Sequence, residues 1–179
     1  MAVGVLGPEV IENLDHLPPP SSRDCLPATL RRVQRDAADP SLGGPHTQLV
    51  VVTGWVRTVL GEDRLVSLLE STQWRLRQGP AIQNGANSMV FCCEDLRQES
   101  QWPDFSQAAE QIGVRSLLLC VLSVSDACRV TLTCCSPYAS AFGHHQMLAA
   151  SSLAVQAAEA VSRATIPHMP LLSEGLRVP

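Results

Sequence analysis

An α+β fold, with helices on both faces of a central antiparallel sheet, is predicted by three features of the 179-residue sequence. Runs rich in β-branched and apolar residues occur in pairs, separated by turn residues. Stretches with a helical apolar stripe stand before, between and after these runs. Apolar residues make up 45% of the chain, enough for a core on both faces of one sheet in a single domain with short appendages.

Taken in order, residues 1–22 read as a flexible leader. Pro18-Pro19-Pro20 favours extended backbone, and a short helix fits Pro8–Asp15. The domain spans residues 23–164. Its first helix is expected over Arg23–Asp36, where Leu26, Leu30 and Val33 share a face; Asp39-Pro40 and Gly43-Gly44-Pro45 end it. Gln48–Leu60 holds Val50, Val51, Val52, Val56 and Val59 and is split by Thr53-Gly54, which predicts two strands or one bent ribbon. A helix over Glu62–Glu70 leads to a loop around Gly79-Pro80 and Asn84-Gly85. Ser88–Cys93 is a strand, and Pro103–Ile112 a helix stopped by Gly113. Arg115–Ser123 and Cys128–Cys135 form a hairpin turned at Asp126. The last helix, Gly143–Ala164, is alanine-rich, which lets a neighbouring helix approach closely. Residues 165–179, with Pro167, Pro170 and Gly175, are expected to be disordered.

Thirteen basic residues, all Arg, against seventeen acidic ones give a net charge of −4. This balance argues against a nucleic-acid binder, and the small Arg31, Arg32 and Arg35 face is better explained as a solvated surface. Val130–Ala158 carries no charged residue, yet Pro137, Gly143, His144 and His145 interrupt it, so no membrane span is expected. Seven cysteines, most of them inside apolar runs, and no signal-peptide pattern suit reduced thiols in a cytoplasm.

The segment Gln73–Ala160 resembles a GAF domain. The residues that carry the likeness are Gln73-Trp74, Gly79-Pro80, Asp95-Leu96, Trp102-Pro103-Asp104-Phe105, Ala109, Gly113-Val114-Arg115-Ser116 and Ala141-Phe142. It is most similar to the actinobacterial type that precedes an ANTAR module in transcription regulators. The resemblance implies first and last helices packed together on one sheet face, a ligand pocket under loops and small helices on the other, and a signalling role. Where that type reads GEGPC, this chain has Arg77-Gln78-Gly79-Pro80-Ala81; Val121 and Val130 replace a proline and a glycine. The residues after Ala164 are proline-broken and fit no ANTAR module, so an antitermination role is not carried over.

Each candidate chemistry has a plainer explanation. Cys92-Cys93 and Cys134-Cys135 are adjacent on strands, where neighbours point to opposite faces, so packing is expected rather than a metal site. A thiol redox enzyme like the free methionine sulfoxide reductases is the alternative function, but Glu94 and Asp95 should raise the thiol pKa values. His144-His145 lack a matching ligand partner. No triad, phosphate loop or metalloprotease motif is present.

The expectation is therefore a non-enzymatic regulatory or sensory domain, acting by small-ligand binding, dimerisation or partner binding, or a ligandless scaffold. Trp74, Met89, Phe91, Trp102, Phe105 and Leu119 are the expected pocket residues. The pocket is expected to be small and mostly apolar, without cofactor or metal. A homodimer through the first and last helices is expected, with Ala157→Glu weakening it, and a regulatory protein is a further possible partner.

Overall fold

The computed structural model describes residues 4–6, 26–42, 46–83 and 88–165. The proposed leader helix, the Asn84-Gly85 turn, Cys25 and the tail from residue 166 lie outside them. Six strands form one antiparallel sheet: β1 (Gly4–Leu6), β2 (His46–Thr53), β3 (Val56–Leu60), β4 (Met89–Cys93), β5 (Ser116–Ser125) and β6 (Cys128–Ser136), ordered β1-β4-β5-β6-β2-β3. The helices are α1 (Leu26–Ala37), α2 (Arg64–Leu76), α3 (Pro80–Gln83), α4 (Pro103–Gln111) and α5 (His144–Thr165). The fold is α+β with helices on both faces, consistent with a GAF-like domain.

Most elements fall where the sequence puts them. One strand does not: Gly4–Leu6, within the stretch read as leader, pairs with β4, Val5 opposite Phe91. The helix expected to stop at Glu70 runs on to Leu76, so Gln73 and Trp74 stand on a helix rather than a loop. Its start is fixed by Asp63, whose Oδ1 accepts from the N–H groups of Leu65 and Val66 at 2.8 and 3.1 Å, a side-chain N-cap. Helix α4 has no cap of its own beyond Pro103 at its first turn. Gln78 supplies one across space: its Oε1 accepts from the N–H of Asp104 at 3.1 Å and of Phe105 at 3.4 Å, and its Nε2 donates to Asp104. The residue standing where the GAF pattern has an acid thus holds the start of the next helix.

Strand alternation sorts the core into two layers. On one face Leu30, Val33, Leu49, Leu118, Cys120, Leu132, Ala154 and Ala157 join α1 and α5 to the sheet. On the other Leu69, Phe91, Leu96, Trp102, Phe105 and Leu119 pack under α2 and α4. The cysteine pairs divide as their adjacency requires. Cys92 and Cys134 belong to the α1–α5 layer, Cys93 and Cys135 to the other.

Asp95 and Arg115, both from the GAF-like motifs, clasp the loop after β4. The Arg115 Nε donates to Asp95 Oδ1 at 2.9 Å, its Nη2 bonds the other oxygen, and the N–H of Arg97 adds a cap at 3.2 Å. The Arg115 guanidinium, above all through these hydrogen bonds, lowers the Asp95 carboxyl from 3.8 to about 2. A depressed folded-state value stabilises the fold above the unfolded value, and the gain is lost as pH falls through the folded one. Asp95 is therefore expected to contribute about 1–2 kcal/mol above pH ~4 and nothing below pH ~2, once screening at the partly exposed Arg115 is allowed for. Urea unfolding of wild type and Asp95→Asn across this range checks it. A stability gap that stays constant with pH would contradict it.

Candidate functional site

The sheet face under α2 and α4 is chemically divided. On β4 and β5 it presents Met89, Phe91, Leu117, Leu119 and Val121, all buried. Going on to β6, β2 and β3, the same face turns polar. Pairing sets Leu119 opposite Thr133, Val121 opposite Thr131, Gln48 opposite Thr133 and Val52 opposite both Arg129 and Arg57. Phe105 and Trp102 close the apolar half, Trp102 meeting Phe91 edge-on with ring centroids 5.4 Å apart.

Helix α2 brings complementary groups to the polar half. Gln48, with no exposed surface, accepts from Ser67 Oγ at 2.9 Å and donates to Glu70 at 3.3 Å. Glu70 also accepts from Arg57 at 2.8 Å and Thr133 Oγ1 at 3.2 Å. Burial raises its carboxyl pKa, against the pull of Arg57 and these hydrogen bonds. Nearby, Asp63 bonds His46 at 3.0 Å; although burial opposes ionisation, that bond and the helix N–H groups hold its pKa below the ordinary value.

At the border of the two halves lies a cavity of about 120 Å³. Its apolar lining is Val50, Val52, Ala81, Leu119 and Val121, and its polar lining Arg57, Glu70, Gln73, Arg129, Thr131 and Thr133, with Trp74 also lining it. Gln73 is 1% exposed. Its Oε1 accepts from the N–H of Ala81 at 3.0 Å, which fixes which amide atom is oxygen. The remaining Nε2 is buried and has no partner among the described residues. Gly79 makes this packing possible. It adopts φ +122°, and a Cβ there would stand 2.5 Å from Gln73 Oε1. Arg129 likewise has no ion pair among the described residues.

Of the residues predicted for a pocket, the structure brings Trp74 and Leu119 to the cavity. Met89, Phe91, Trp102 and Phe105 are packed into the adjoining core. The cavity is small and more of its wall is apolar than polar, with Val50, Val52 and Val121 beside Leu119; α2 and β6 add hydrogen-bonding side chains to it. Val121 lines it, whereas Val130 faces α1 and α5. The missed residues are Arg57, Glu70, Gln73, Arg129, Thr131 and Thr133. A signal was present in Arg129-Val130-Thr131-Leu132-Thr133, a period-two polar series in a strand flanked by others.

The other reactive groups are placed as follows. Burial, first, and nearby carboxylates push the thiols up: Cys92 to about 11 and Cys93 to about 12. Burial alone takes Cys134 to about 12, and Cys120 and Cys135 are raised further still. His144 and His145 are exposed. Among the described residues no group of three or more His, Cys, Asp or Glu could hold a metal, and no helix is long and apolar enough to cross a membrane. A second, wider groove of about 810 Å³ lies on the opposite face, between α1, the end of α5 and the β2–β3 hairpin.

This α+β architecture is consistent with a GAF-like domain. It is similar to a domain of a two-component sensor histidine kinase from Sinorhizobium meliloti 1021, with a TM-score of 0.52 and 14% identity over 77% of this chain and 89% of that one. It is also similar to Escherichia coli SdiA, with a TM-score of 0.51 and 14% identity over 94% of this chain and 72% of that one. At this identity the likeness is one of fold. No family model matches the sequence, and no curated protein does.

Proposed function

We propose that the chain is a regulatory or sensory domain that holds a small ligand in the cavity between the sheet and α2. The observation that carries this is the buried Gln73 amide beside that cavity, whose Nε2 lacks a partner among the described residues. A buried N–H left unsatisfied costs about 1–3 kcal/mol, and a bound acceptor would recover it. Proteins of similar fold, a sensor kinase domain and SdiA, support a regulatory setting. The raised thiols support this reading over a redox enzyme, since a nucleophilic cysteine needs a lowered pKa.

The sheet gives occupancy a route outward. Thr131 and Thr133 face the cavity, while Val130, Leu132 and Cys134 on the same strand face α1 and α5. A shift of β6 is therefore felt on both sides. Association through α1 and α5 is the proposed output, to homodimer or protein partner, in a cytoplasmic setting. A fragment screen read by ¹H–¹⁵N spectra of the full chain tests the reading. Fragments are expected to move the side-chain amide signal of Gln73 and the indole signal of Trp74. A screen in which no fragment moves either would overturn it.

A further inference from the structure

We infer that the cavity under α2 is built for a small monoanionic carboxylate. The inference rests on the ligand-binding reading above and names the ligand's chemistry. Three ionisable side chains line the cavity. Arg57 and Glu70 are bonded to each other, so among the described residues Arg129 remains as one positive charge without an ion pair. A single negative charge on the ligand would balance it.

The hydrogen-bonding inventory points the same way. Thr133 Oγ1, Gln48 Nε2 and Arg57 Nη2 all donate to Glu70. Beside the Thr131 hydroxyl, which can donate or accept, the cavity presents the Gln73 Nε2 and the Arg129 guanidinium, both without a partner among the described residues. These two groups can only donate, so the ligand must bring acceptors. A carboxylate has two acceptor oxygens in one plane, one for the amide and one for the guanidinium, whose fork geometry matches it. Val50, Val52, Leu119, Val121 and Ala81 give the cavity an apolar lining that suits a short hydrocarbon chain. The volume admits only a few carbon atoms. A phosphate dianion would leave one charge unbalanced and set oxygens against this apolar side.

Butyrate, butyramide and inorganic phosphate separate the possibilities, titrated into the full-length protein with the Gln73 and Trp74 signals as readout. Butyrate is expected to bind saturably, and butyramide about ten- to a hundred-fold more weakly, the scale of a charge-assisted hydrogen bond. Arg129→Ala and Gln73→Leu should each weaken butyrate by a similar factor, and Arg129→Lys by less. Circular dichroism and urea unfolding establish that each variant folds. Should Gln73→Leu not fold, Arg129→Ala, partly exposed, decides. Butyramide or phosphate binding as tightly as butyrate overturns the carboxylate inference while leaving ligand binding intact, as does Arg129→Ala binding butyrate unchanged. If none of the three probes and no fragment binds, the ligand-binding reading falls and this one with it.

Discussion

Ala157→Glu is expected to unfold the protein. Ala150, Ala154, Ala157 and Val161 are each at most 2% exposed and line the side of α5 that lies on the sheet. The sequence suggests Ala157 as a dimer contact, but the small residues of α5 serve the packing inside one chain. A carboxylate there has no partner and no room. Burying an unpaired charge and overpacking a core together cost about 3–5 kcal/mol or more, a large fraction of the 5–15 kcal/mol available to a domain. Urea unfolding followed by circular dichroism checks this. A variant with the wild-type midpoint would refute the placement of Ala157. The better probe of association is Leu148, 42% exposed on the same helix. Leu148→Glu should leave the fold intact, and sedimentation then reads only whether copies associate.

Phe105→Ala is the second large effect. Phe105 is fully buried on α4, in the layer with Trp102, Leu96 and Phe91. Removing the ring leaves a void that the surrounding sheet can fill only in part. The cost is about 3–5 kcal/mol, or a melting temperature lower by roughly 6–20 °C at this chain length. The same change should loosen the wall beside the cavity, since Gln78, bonded to the N–H of Phe105, belongs to the turn that leads into α3, which carries Ala81. A calorimetric melting shift under about 2 °C would show that α4 is not an integral part of the core.

The parts legible in the sequence are those set by local periodicity. The β2–β3 and β5–β6 hairpins follow from β-branched runs and their turn residues, and the opposite placement of neighbouring cysteines follows from strand alternation. Two elements were hidden for physical reasons. Gly4–Leu6 is three residues long, with no pattern of its own. It is a strand only because the β4 edge offers it hydrogen bonds some eighty residues away. The end of α2 reads as polar, Ser71-Thr72-Gln73, yet Thr72 and Gln73 are buried. Burial of a polar helix end depends on what lies opposite, and here that is the polar half of the sheet. The polar part of the cavity wall is hidden in the sequence for the same reason. Arg129, Thr131 and Thr133 look like a solvent-facing series, but β6 lies between β5 and β2 and is covered on both faces.

The six buried thiols also bear on what happens when the protein opens. While folded, each of them is out of reach of oxidants, being at most 5% exposed. In the unfolded chain the raised thiols Cys92, Cys93, Cys120, Cys134 and Cys135 return to the ordinary range near pH 8.5, and adjacent pairs such as Cys92-Cys93 become free to cross-link with others. Every excursion out of the native state then carries a chance of chemical capture. The lifetime of this domain under oxidising conditions is governed by how rarely it opens, a kinetic property rather than an equilibrium one. A reducing agent should make its thermal unfolding more reversible without moving the native structure.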